Sequence, residues 1–70
     1  MRKIELSNDK TVELRPPKVR DMKAVNGIED DFEKEIVLLS NLTEMTVDEI
    51  EDLDMNDFNL LDAELQTFLS

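Results

Sequence analysis

Lys3-Ile4-Glu5-Leu6-Ser7-Asn8-Asp9-Lys10-Thr11-Val12-Glu13-Leu14-Arg15-Pro16-Pro17 sets the fold class of this 70-residue chain. Ile4 and Leu6 alternate with Lys3 and Glu5, and Val12 and Leu14 alternate with Thr11 and Glu13. Alternation on both sides of a polar turn is the pattern of a β-hairpin. For the apolar residues to share a face, Leu6 is expected opposite Val12 and Ile4 opposite Leu14. Residues 8–10 then form the loop, with Lys10 where a left-handed residue, by preference glycine, is wanted. The same register sets Glu5 opposite Glu13, a mildly unfavourable pair that Lys3 and Arg15 soften. Pro16-Pro17 ends the second strand, because proline brings no N–H to a ladder.

Beyond the prolines the apolar period lengthens. Val19, Met22, Val25 and Ile28 are spaced by three, one stripe of a short helix that weakens at Asn26-Gly27. Asp30-Asp31 suits a helix start, with acid at the positive end of the dipole. Phe32, Ile36, Leu39 and Leu42 or Thr43 make the next stripe, on a helix expected over residues 30–43, with Glu33, Lys34 and Glu35 facing away. Thr46-Val47-Asp48-Glu49 is a capping box, leading into a short turn through Ile50. Asp54 is a second N-cap candidate, ahead of the stripe Met55, Phe58, Leu61 with Leu60, Leu65, Phe68 and Leu69. The expected fold is α+β and mostly α: one domain over 1–70, with a hairpin in 1–16 and an acidic helical part in 18–70 made of three to four short helices.

Composition narrows the chemistry. The chain has no Cys, His, Trp or Tyr, and a single Gly. Thiolate metal sites, histidine bases and Gly-rich phosphate loops are therefore excluded. Net charge is −10, and it is unevenly spread: residues 1–25 carry +3 and residues 26–70 carry −13. Such a surface repels phosphate, so nucleic acid is a poor partner. No apolar run approaches the roughly 20 residues of a membrane span, and the N-terminus lacks the apolar stretch of a signal peptide.

Two acidic constellations bear on chemistry. Asp52, Asp54 and Asn56 stand at the first three ligand positions of a calcium loop, but Asp57 replaces its glycine and Ala63 its bidentate glutamate. A solvated acidic face with helix caps accounts for them better. Paired-carboxylate catalysis needs a cleft around its substrate, for which a thin 70-residue chain has little material. No enzyme activity and no cofactor is expected. The C-terminal stripe Phe58, Leu61, Leu65, Phe68 and Leu69 is the candidate partner-binding set. Most of it is also needed as core, and the remainder at the chain end is available to a partner helix or to self-association.

Several runs, taken in order, carry a family resemblance: Val12-Glu13-Leu14-Arg15-Pro16-Pro17, Val19-Arg20-Asp21-Met22, Glu29-Asp30-Asp31, Leu38-Leu39-Ser40-Asn41-Leu42-Thr43, and Val47-Asp48-Glu49-Ile50-Glu51-Asp52-Leu53-Asp54-Met55-Asn56-Asp57-Phe58. Nearly the whole chain resembles the tail assembly chaperones of contractile-tailed bacteriophages and their prophages. Asp9, where a hairpin would prefer glycine, is a departure. The resemblance implies a non-catalytic protein of the host bacterial cytoplasm that binds the tape measure protein, keeps it soluble during tail assembly and is absent from the mature virion. It also implies a longer, frameshifted form that recruits the tail tube protein, and Thr67-Phe68-Leu69 is compatible with a slippery run of uridines. Two other readings compete with it: an acidic nucleic-acid mimic that titrates a basic protein, and a small structural subunit of the tail.

Overall fold

A computed structural model describes residues 2–70. Strands β1 (Arg2–Glu5) and β2 (Thr11–Leu14) form an antiparallel two-stranded sheet, followed by helices α1 (Val19–Ala24), α2 (Asp31–Thr43), α3 (Val47–Glu51) and α4 (Met55–Leu69). The class is α+β and mostly α, as expected from the change of apolar period after Pro17.

The hairpin keeps the expected faces but shifts its register by two residues. Arg2 lies opposite Leu14, Lys3 opposite Glu13, Ile4 opposite Val12 and Glu5 opposite Thr11. The loop is Ser7-Asn8-Asp9: Leu6 N–H donates to Lys10 O at 2.8 Å, and Asp9 N–H to Leu6 O at 3.1 Å. Asp9 takes the left-handed conformation at φ 65°. The expected 8–10 loop would have put Lys10 there, and Asp tolerates that region better than Lys. The shift also exchanges the expected Glu5–Glu13 repulsion for an opposed Lys3–Glu13 pair.

Helix α1 departs further. Of its expected stripe, Val25 is buried at 1% exposure and Ile28 packs against the core, but Val19 is 85% exposed and Met22 faces solvent. The inward residue is Asp21. Its carboxylate is held by Arg15, and that ion pair sets the rotation of this six-residue helix.

Helix α2 begins as expected. The Asp30 carboxylate caps it by accepting from Phe32 N–H at 3.3 Å. It ends at Glu44, which adopts φ 67° as its C-cap. The Thr43 hydroxyl donates to Leu39 O, and the Ser40 hydroxyl donates across the turn to Met45 O at 2.7 Å. The capping box of α3 closes in both directions: Thr46 N–H donates to Glu49 Oε1 at 2.9 Å, and Glu49 N–H to Thr46 Oγ1 at 3.1 Å. Asp54 stands at the N-cap of α4 in extended conformation without a side-chain cap bond.

One core joins these elements. Ile4, Leu6, Val12 and Leu14 cover it from the hairpin; Leu38, Leu39 and Leu42 enter from α2, Ile50 from α3, and Phe58, Leu61 and Leu65 from α4.

Candidate partner-binding surface

Two buried carboxylates, Asp21 and Asp57, hold the elements of the fold together. Arg15 meets Asp21 with both guanidinium arms, Nη1 to Oδ2 at 2.8 Å and Nη2 to Oδ1 at 2.9 Å. Lys18 N–H adds a bond to Oδ2 at 2.7 Å. Arg15 also donates from Nη2 to Asn41 O at 3.1 Å and from its backbone N–H to Leu42 O at 3.1 Å. One arginine thus ties β2, α1 and the carbonyl end of α2 together, where a cation suits the helix dipole. The Arg15 hydrogen bonds outweigh desolvation and lower the Asp21 carboxyl from 3.8 to about 2, and the same contact raises the Arg15 guanidinium. The second carboxylate, Asp57, accepts from Ser7 N–H at 3.0 Å and from the Ser7 hydroxyl at 2.9 Å, anchoring the first turn of α4 to the hairpin loop. The C-terminal half of α4 is tied to β1 by Arg2, which pairs with Glu64 at 2.9 Å and lies 5.3 Å over the Phe68 ring.

These anchors divide the α4 stripe. Phe58, Leu61 and Leu65 are buried, Phe68 is half-buried under Arg2, and Leu69 is exposed at 43%. The surface gains apolar residues from elsewhere. Phe32, at the start of α2, is 49% exposed with its ring 5.2 Å from that of Phe58; Met55, one turn before Phe58, is 57% exposed. Leu60 on α4 and Val19 on α1 are exposed as well. The Phe32–Met55 patch is framed by the acidic starts of two helices, Glu29-Asp30-Asp31 and Asp52-Leu53-Asp54. Spacing puts Phe32 on the stripe with Ile36, Leu39 and Leu42, yet it is half exposed. The signal for its exposure is its position in the first turn of α2, ahead of the helix's buried residues Ile36 to Thr43.

Carboxylates meet again where α2 faces α4. Glu35 is pushed above its ordinary 4.5, first by burial and then by the neighbouring Asp62 and Asp31. Glu49 is lowered by the Thr46 backbone N–H and hydroxyl it faces in the capping box. Of the calcium-loop positions, Asp54 stands at the N-cap of α4, and Asp57, where such a loop needs glycine, is bonded to Ser7. Among the described residues no group of three or more acidic side chains is arranged to hold a metal ion. No helix among them is long and apolar enough to cross a membrane. An open groove of ≈ 330 Å³ runs along β2 between Thr11 and Glu13 on one side and Thr43, Glu44, Met45 and Glu49 on the other. What the surface offers is apolar contact beside the acidic starts of α2 and α4.

Residues 8–70 match a family model described as phage tail assembly chaperone proteins, E, or 41 or 14. Neither a curated protein nor a solved structure matches the chain.

Proposed function

Because the chain belongs to the phage tail assembly chaperone family, we propose that it binds the tape measure protein and keeps it soluble while the tail is built, without catalysing a reaction. The observation that supports this beyond family membership is exposed apolar surface at Phe32 and Met55, with Leu69 exposed at the other end of α4, on a part of the chain whose residues 26–70 carry −13. An aggregation-prone apolar helix gains burial against such a patch, at about 25 cal/mol per Å² removed from water. The surrounding carboxylates then lend the complex net charge and repel other complexes. On α4, Phe68 and Leu69 supply contact at the helix end, while Phe58, Leu61 and Leu65 hold the helix in place from within. Recruitment of the tail tube protein belongs to a longer, frameshifted form, which a uridine run in the Thr67-Phe68-Leu69 codons would permit.

Co-expression with the tape measure protein tests the reading. The wild-type chain should raise the soluble yield of that partner several-fold. Phe32→Asp with Met55→Asp changes exposed residues only, so the chaperone should fold as before and lose most of the effect. A folded double variant that still solubilises the partner would move the contact away from this patch. A wild-type chain without effect would sink the chaperone role for this partner.

A further inference from the structure

The free edge of β1 carries its own complement. Leu6 and Lys10 are a hydrogen-bonded pair at the loop end of the hairpin. Antiparallel ladders alternate, so Ile4–Val12 and Arg2–Leu14 are bonded pairs, whereas Lys3–Glu13 and Glu5–Thr11 are not. The N–H and C=O groups of Lys3 and Glu5 therefore point away from β2. No hydrogen bond from another element reaches them among the described residues. Among the described residues, the hydrogen bonds that tie α4 to the β1 side of the hairpin lie at Arg2 and, just past β1, at Ser7, not at Lys3 or Glu5. Both side chains at that edge, Lys3 and Glu5, are exposed, and Ile4 between them turns inward.

We propose that two copies of this chain pair through β1 about a two-fold axis at Ile4, forming a four-stranded antiparallel sheet in the order β2-β1-β1-β2. Only registers that set outward-facing residues opposite each other make ladder bonds. Three such registers exist for this edge. One opposes Lys3 to Lys3 and another Glu5 to Glu5, each a like-charge pair. The third sets Lys3 opposite Glu5 of the second copy, and Glu5 opposite its Lys3. It makes four backbone hydrogen bonds and two ion pairs, and it brings the two Ile4 side chains together on the core face. Charge on an edge strand ordinarily discourages pairing; here the sequence Lys3-Ile4-Glu5 is self-complementary in one antiparallel register. The other edge is less open. Just past the end of β2, Arg15 N–H is already bonded to Leu42 O, and across a groove from β2 stand Thr43, Glu44 and Met45 of the turn after α2. A two-fold arrangement closes on itself, whereas β1 joining β2 of a next copy would run on without end. Two four-residue strands bury far less than the roughly 1,200 Å² of a stable interface, so the dimer is weak and concentration-dependent.

Sedimentation equilibrium of the purified chain tests this. Its weight-average mass should rise with concentration and level off at that of a dimer. Lys3→Glu alone and Glu5→Lys alone should each weaken association about tenfold or more, since each opposes like charges in the paired register. An equimolar mixture of the two single variants should restore it as a heterodimer, and the mixture also shows that both are folded. Glu5→Pro removes an outward N–H without removing a bond of the hairpin, and should abolish association. A wild-type chain that stays monomeric at about millimolar concentration, growth beyond a dimer, or single variants that associate as wild type would each overturn the proposal.

Discussion

Asp21 accepts two bonds from Arg15 and one from Lys18 N–H, and the sign of its pH dependence follows from that arrangement. Its carboxyl sits at about 2 when folded, against an ordinary 3.8. The unfolded chain thus takes up the proton at higher pH than the folded chain does. The stabilisation is complete above the ordinary value and is lost as pH falls through about 2. Asp21→Asn should cost about 1–2 kcal/mol at neutral pH, an amount reduced because Arg15 is partly open to water. The gap between wild type and variant should close as pH approaches about 2, and urea midpoints measured across that range will read it. Glu35 works in the opposite direction. Its raised value makes its unfavourable contribution appear as pH rises and vanish in acid. It is common to both proteins, so it cancels in their difference. An acid limb of equal height in wild type and variant would show that Asp21 does not carry this dependence.

At the scale of elements, the short helices depend on their caps. Helix α3 has five residues, too few to nucleate alone, and its start rests on the reciprocal bonds of Thr46 and Glu49. Thr46→Ala should lower stability by about 1 kcal/mol, read from a urea melt, and should speed hydrogen exchange at Glu49 N–H. Exchange at that amide equal to wild type would mean the cap is not what holds the turn. This cap was legible because a capping box is local: the donor and acceptor lie three residues apart and need no knowledge of the fold. The start of α2 at Asp30 was legible for the same reason, and that of α4 at Asp54 from the position of an acid ahead of an apolar stripe, although Asp54 makes no cap bond; the hairpin was legible because its alternation depends on parity alone. Its register was not, because parity allows shifts of two, and the choice turned on which loop residue best tolerates a left-handed backbone. The rotation of α1 was hidden too. Apolar spacing favoured Val19 and Met22, yet a six-residue helix buries so little area that one ion pair from Asp21 to Arg15 outweighs the stripe. Both residues stood in the runs that carry the family resemblance, but their contact joins β2 to α1 across two prolines, and no periodicity reports such a contact.

For the molecule as a whole, charge and apolar surface divide the work of recognition, and spacing along α4 could not separate them. Phe58, Leu61 and Leu65 share a stripe with Phe68 and Leu69; only packing shows that the first three lie inside, that Phe32 packs its ring near Phe58 while staying half exposed, and that Met55, one turn before Phe58, is exposed. Leu65, with 0% exposure, is thus a poor test of binding, since a charge there would undo the fold before it touched a partner. The acidic field of residues 26–70 invites a different test. If the carboxylates recognised a basic partner, as a nucleic-acid mimic would, affinity should fall steeply as salt shortens the screening length from about 10 Å at 0.1 M toward about 3 Å at 1 M. Apolar capture responds differently, because burial of Phe32, Met55 and Leu69 does not depend on screening and is strengthened by salts excluded from the surface. Binding of a tape measure fragment should therefore change by no more than a few-fold between about 0.1 and 1 M salt, while Phe32→Asp with Met55→Asp should weaken it at every salt concentration. A loss of several orders of magnitude on adding salt to the wild-type complex would transfer the recognition from the apolar patch to the carboxylates that frame it.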